Sequence, residues 1–81
     1  MINSRREILA KITELVKDQL DLDQLVLTET TVSSDVEGWD SLAHVRIMIA
    51  VEQAFAARFT THQIASIENV GQLLDLVAVS S

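Results

Sequence analysis

Residues 38–57 read GWDSLAHVRIMIAVEQAFAA, and this run decides the fold. Gly38 is a turn former, and Asp40 or Ser41 caps the segment after it. Leu42, Val45, Met48, Ile49, Val51 and Phe55 then recur three and four apart, with Ile47 widening the face they share. That spacing predicts a helix from Ser41 to Ala57, the most buried of the chain, with Leu42 anchoring its first turn in the core.

Upstream, Ser4 and Glu7 have the spacing of a capping box, in which each side chain accepts from the other's backbone amide. Ile8, Leu9, Ile12, Leu15, Val16 and Leu20 follow at helical spacing, which predicts a helix from Arg5 to Leu20. Between the two helices, from Asp21 to Trp39, no period persists. Thr28 to Val32 is rich in β-branched residues, but a lone strand would leave its backbone unpaired, so the segment is expected to be a long loop. Loops this long in a small domain are uncommon and often functional. Downstream, Thr60 or Thr61 caps a short helix around His62–Ser66. Asn69 and Gln72 repeat the capping-box spacing and open a last helix with Val70, Leu73, Leu74 and Val77 inward. The expected fold is all-α: a small four-helix bundle with three longer helices, a short third one, and a long loop between the first two. Residues 1–81 are expected to form one domain.

Composition narrows the functions available. The 81-residue chain has no cysteine, which removes disulfides and cysteine-ligated zinc. Its net charge of −6 argues against nucleic acid, which needs a basic face. A hydrophobic content of 48% is too high for a disordered acidic tail. No apolar stretch is long enough for a membrane span and none follows Arg5 and Arg6 as a signal sequence would require, so a cytoplasmic protein is expected. The charge is unevenly spread. Residues 18–45 hold Asp18, Asp21, Asp23, Glu29, Asp35, Glu37 and Asp40 and no Lys or Arg, whereas residues 1–17 carry a net +2. The acidic third is a solvated loop, or a surface for cations or basic proteins.

Two chemistries are tested by spacing. An EF-hand needs glycine at its sixth position and glutamate at its twelfth. Counting from Asp21 places Val26 and Val32 there, and counting from Asp35 places Asp40 sixth, so no metal site is expected. Asp40, Ser41 and His44 fall within five residues, but the acid lies on the serine side of the histidine and a bundle offers no oxyanion hole. No catalytic residue is expected, and His44 is read as facing solvent. What remains is Ser41 at the start of a helix, its hydroxyl exposed beside free amides and the positive helix end. That is a place to hold a phosphate ester, although Asp40-Ser41 also reads as an ordinary cap.

The surroundings of the serine extend this reading. Gly38-Trp39-Asp40-Ser41-Leu42 resembles the phosphopantetheine attachment motif of acyl carrier proteins. Leu42, Val45, Ile49, Val51, Glu52 and Phe55, then Phe59, Ile64, Ile67, Val70, Gly71 and Leu73, continue the family's pattern to the last helix. The resemblance covers essentially the whole chain and is strongest from Glu37 to Leu74. It implies a carrier and not an enzyme: Ser41 holds a covalent 4'-phosphopantetheine whose thiol bears an acyl thioester, with Gly38, Asp40 and Leu42 shaping the attachment site. The missing cysteine is then no obstacle, because the thiol comes from the cofactor.

The implied partners are a phosphopantetheinyl transferase and acyl ligases, acyltransferases or synthases with basic docking patches. They would meet a monomer at Asp35, Glu37, Asp40, Ala43, His44, Arg46, Met48 and Glu52. Met48 reads equally as core. Val45, Ile49, Phe59, Ile64 and Ile67 would line the space for an acyl chain. The chain also departs from the family's fatty-acid-synthesis members, which usually have an acid where this chain has Arg46 and an acid-rich third helix where Thr60–Ser66 has none. Trp39 is more usual in dedicated carriers. The expectation is therefore a specialised pathway making a secondary metabolite, a modified lipid or a polysaccharide. Two alternatives stand beside it, an aminoacyl or peptidyl carrier of non-ribosomal synthesis and an unmodified helical adaptor.

Overall fold

The structure, a computed structural model, describes residues 4–80, the side chain of Ser80 excepted. Residues 1–3 and 81 of the expected domain lie outside the described residues. Helix α1 spans Arg5–Leu20, α2 Ser41–Phe55, α3 Thr61–Ser66 and α4 Val70–Ser80, and a single 3-10 turn occupies Ser33–Asp35 in the long loop. There is no strand among the described residues.

The helix starts follow from side chains that satisfy the otherwise unpaired first amides. Ser4 and Glu7 form the expected capping box on α1, and Thr60 and Gln63 form one on α3. Asp40, not Ser41, is the cap of α2; its Oδ1 accepts from the Ala43 amide at 2.8 Å. At α4 the reciprocal half of the box is displaced by one residue. Asn69 Oδ1 accepts from the Gln72 amide at 2.9 Å, while Gln72 Oε1 accepts from the Glu68 amide at 2.7 Å.

Ile8, Ile12 and Val16 of α1, Ile47, Met48 and Val51 of α2, and Val70, Leu73, Leu74 and Val77 of α4 make one core. The loop is pinned into it by Leu27 and Val36. In place of a strand, Thr28–Thr31 closes a turn, with the Thr31 amide donating to the Thr28 carbonyl. Here the loop meets α4. The Val70 and Gly71 amides donate to the Thr31 and Glu29 carbonyls at 2.9 and 2.8 Å, so loop carbonyls cap a helix nearly forty residues further on. Arg5 closes the same corner. Its guanidinium bonds both carboxylate oxygens of Glu29 and one of Asp75. The Arg5 hydrogen bonds hold the Glu29 carboxyl below the usual carboxylate range.

Helix α2 differs from its sequence reading in two ways. It ends at Phe55 and not Ala57, because Ala56 turns left-handed (φ +53°) and the Ala57 amide folds back to the Glu52 carbonyl. It is also not the most buried helix, since α4 buries as many residues over a shorter length. Leu42 does not anchor its first turn: it is 62% exposed, and Val45 and Ile49 are each 48% exposed. Together with Ile47, Met48 and Val51, these residues make α2 apolar nearly all round. Periodicity then cannot tell which side the core takes.

Candidate functional site

Ser41 is the first residue of α2 and is exposed. The chain reaches it through tight turns. The Val36 amide donates to the Ser33 carbonyl, Trp39 to Val36 and Asp40 to Gly38, and Gly38 takes φ +89°, a conformation that favours glycine. A Cβ there would still find room, 3.9 Å from Leu20, so what asks for glycine is the backbone angle. The contact also sets the C-terminal end of α1 beside this loop. Asp40 spends one carboxylate oxygen and its carbonyl on the amides of Ala43 and His44. Among the described residues the Ser41 hydroxyl has no hydrogen-bond partner, and neither do the Ser41 and Leu42 amides. A tetrahedral phosphate ester on the Ser41 oxygen fits this arrangement: the oxygen is free, accessible and beside unpaired donors at the positive end of the helix dipole.

Ser41 also sits on the rim of an open groove of about 580 Å³ between α2 and α3. Ser33, Asp40, Ser41 and Thr61 give it polar lining, and Trp39, Val45, Ile64, Ala65 and Ile67 apolar lining. Of the residues expected along an acyl chain, Val45, Ile64 and Ile67 meet here. Ile49 lies elsewhere, in a second concavity of about 530 Å³ with Glu52 and Arg58. Phe59 packs partly buried against the core.

The residues named for partner contact divide. Asp35, Glu37, Asp40 and Arg46 are exposed. Asp35 also caps its own turn, accepting from the Val32 amide at 3.2 Å. Ala43 and Met48 cannot form a docking face, since both are buried and Met48 is wholly so. The core takes the Met48 side of α2 and leaves the Leu42–Val45–Ile49 side outside. Glu52 is half-buried, and its carboxylate accepts from the Phe59 amide at 2.8 Å, bracing the α2–α3 connection. Of the acidic third, Glu29 is paired away by Arg5, while Asp35, Glu37 and Asp40 remain exposed in the stretch that leads to Ser41.

His44 does not face solvent as its sequence position suggested. It is half-buried, with both ring nitrogens engaged. Nδ1 accepts from the Trp39 indole N–H at 3.1 Å, which leaves Nε2 to carry the proton and donate to the Ile64 carbonyl at 3.1 Å. Neither nitrogen is left to activate Ser41. The sequence carried a partial sign of this bridge, because an indole N–H that is half-buried needs an acceptor and His44 is one turn away. The Ile64 end depends on how α3 docks, which no local pattern reveals.

With this geometry in view, the likenesses are specific. The family profile for the phosphopantetheine attachment site matches residues 10–77. An acyl carrier protein of Rubrobacter xylanophilus is 34% identical over 74 residues, covering 90% of each chain. One from Thermosynechococcus vestitus is 29% identical over 75 residues, covering 91% of each. The solution structure of a holo acyl carrier protein from Geobacter metallireducens superposes with a TM-score of 0.82 at 32% identity, covering 90% of this chain and 84% of that one. The crystal structure of an acyl carrier protein from Thermotoga maritima gives 0.83 at 25% identity, covering 94% and 88%.

Proposed function

The chain belongs to the acyl carrier protein family, and from that we propose that Ser41 is the residue to which its 4'-phosphopantetheine is attached. The observation that carries this reading is the Ser41 hydroxyl itself, exposed and unbonded at the first position of α2, on the rim of an apolar groove. When bound, the group supplies a thiol on a flexible arm that holds an acyl unit as a thioester. The chain's own part is to present and to shelter. Asp40 fixes the start of the helix and keeps a negative charge next to the ester for the transferase. Val45, Ile64 and Ile67 offer the cargo an apolar wall. The whole described unit acts as one carrier domain, and the reactions on the cargo belong to partner enzymes.

Partner choice lies on the exposed side of α2. Asp35, Glu37 and Asp40 are placed to meet basic patches around partner active sites, where charge complementarity speeds weak, reversible docking. Arg46 is exposed on α2 and has no ion-pair partner among the described residues, and α3 has no acid. A cation there would repel a patch tuned to acid. This supports service in a specialised pathway and not in general fatty-acid synthesis. The measurement is the rate at which general fatty-acid enzymes accept the loaded protein: Arg46→Glu raises it, and an unchanged rate removes Arg46 as a selectivity element.

Attachment is tested by co-expression with a broad-specificity phosphopantetheinyl transferase followed by intact mass. The wild type gains one phosphopantetheine and Ser41→Ala gains none. No gain in the wild type would leave the unmodified adaptor as the reading.

A further inference from the structure

Ser41 is presented on a segment with one inward side chain. From Glu37 to Leu42 every residue is exposed except Trp39, which is half-buried and packs against the core. The polar edge of its ring goes to His44 Nδ1 at 3.1 Å, and the two rings lie with centroids 6.1 Å apart. His44 is itself fixed from two sides. Its amide donates to the Asp40 carbonyl at 2.8 Å, and its Nε2 reaches the Ile64 carbonyl at 3.1 Å. That carbonyl belongs to the last turn of α3, where the helix has no amide of its own to offer it. His44 therefore joins the residue just before the α2 cap to α3.

This join depends on the charge of the ring. A neutral imidazole accepts at Nδ1 and donates at Nε2, as the two partners require. With a second proton both nitrogens donate. Nδ1 then meets the indole N–H donor to donor and the Trp39 bond is lost, whereas the Ile64 carbonyl keeps its donor. The charged groups lining the spaces that His44 borders are Asp40 of the cap and Glu68 of the α3–α4 connection. The loop and α3 contribute Thr31, Ser33 and Thr61 there, and no Lys or Arg lines either space. Arg46, on α2 itself, is exposed and lines neither.

We infer that His44 is a positioning residue for the modification of Ser41, and that it serves only while neutral. Tied to His44, Trp39 fixes the approach to the cap and holds the Glu37–Leu42 segment in the form that a transferase meets. Protonation of His44 unties Trp39, while the buried core of α1, α2 and α4, which does not include the bridge, stays folded. Glutamine at position 44 carries one acceptor and one donor and does not titrate, whereas alanine carries neither.

The inference rests on attachment at Ser41, and its two readouts separate the claims. Trp39 is the only tryptophan, so the unmodified protein labelled with nitrogen-15 gives one indole N–H resonance. Between about pH 8 and 5, where imidazoles change charge, that resonance moves in the wild type and stays in place in His44→Gln. A wild-type resonance that ignores pH overturns the inference, whatever happens at Ser41. The second readout is phosphopantetheine transfer by a broad-specificity transferase, taken as the ratio of kcat/KM for wild type to that for His44→Gln, which cancels the transferase's own pH dependence. The ratio is near one at about pH 8 and falls about fivefold by about pH 5.5, the size of one net hydrogen bond, through KM and not kcat. In His44→Ala KM is raised at both pH values. A level ratio, or an unchanged KM in the alanine variant, overturns the positioning role; if that variant does not fold, the ratio decides alone. No transfer to any of the three proteins overturns the attachment reading and this inference with it.

Discussion

At Gly71 a missing side chain allows the loop to meet the last helix. Its amide donates to the Glu29 carbonyl at 2.8 Å, and a Cβ built on it would stand 2.8 Å from that same oxygen. The obstacle is backbone and not a flexible side-chain tip, so the loop must shift to admit a methyl group. Gly71→Ala is expected to lower stability by about 1–3 kcal/mol, the range for overpacking a close contact, measured by urea unfolding. Ser41 is the opposite kind of residue, since nothing around it requires a hydroxyl for the fold. The α2 cap belongs to Asp40. Ser41→Ala should therefore keep the fold while removing the proposed attachment point, which makes it a clean control.

At the scale of elements, α2 is the informative case. Met48 is wholly buried and its neighbour Ile49 is half-exposed. Met48→Ala is expected to cost about 2–5 kcal/mol and Ile49→Ala only about 0.5 kcal/mol, both read by thermal or urea unfolding. A reversed order would mean that α2 is rotated about its axis. This rotation is also what the sequence left open. Where a helix is apolar on one stripe, as α1 is through Ile8, Ile12 and Val16, pattern and cap together fix its limits and its inner face. Where Leu42, Val45, Ile47, Met48, Ile49 and Val51 surround the axis, only the neighbouring helices choose. The turn at Gly38 and the start of α2 at Asp40 and Ser41 were legible because they are local. The His44–Ile64 half of the bridge and the loop-to-α4 hydrogen bonds were not, because they join segments about twenty to forty residues apart.

The corner formed by α1, the loop and α4 has its own pH signature. Arg5 lowers the Glu29 carboxyl from its ordinary value. A carboxyl depressed in the folded state contributes stability that is present above its unfolded value and lost as pH falls through the folded one. The stability difference between wild type and Glu29→Gln should accordingly be largest near neutrality and shrink on acidification below the ordinary carboxylate range. The groups are exposed, so the difference is small and weakens with salt. Urea unfolding at a series of pH values reads it, and a difference that does not change with pH removes the ion pair from the stability of this corner.

For the molecule as a whole, shape and charge serve one position. A core shared by α1, α2 and α4 holds the start of α2 in place, and the loop's turns deliver Ser41 to the surface. Arg5 pairs with Glu29, while Asp35, Glu37 and Asp40 stay exposed just before the serine in sequence and Arg46 just after it. Carrier function on these terms requires that Ser41 bear the arm. Residues 18–45 contain no Lys or Arg, so trypsin releases residues 18–46 as one peptide that holds Ser33, Ser34 and Ser41. Fragmentation of that peptide from the transferase-treated protein assigns the modification directly. Phosphopantetheine on Ser41, with Ser33 and Ser34 unmodified, is the expected result; a modification on either of those serines, or an unmodified peptide, would contradict it.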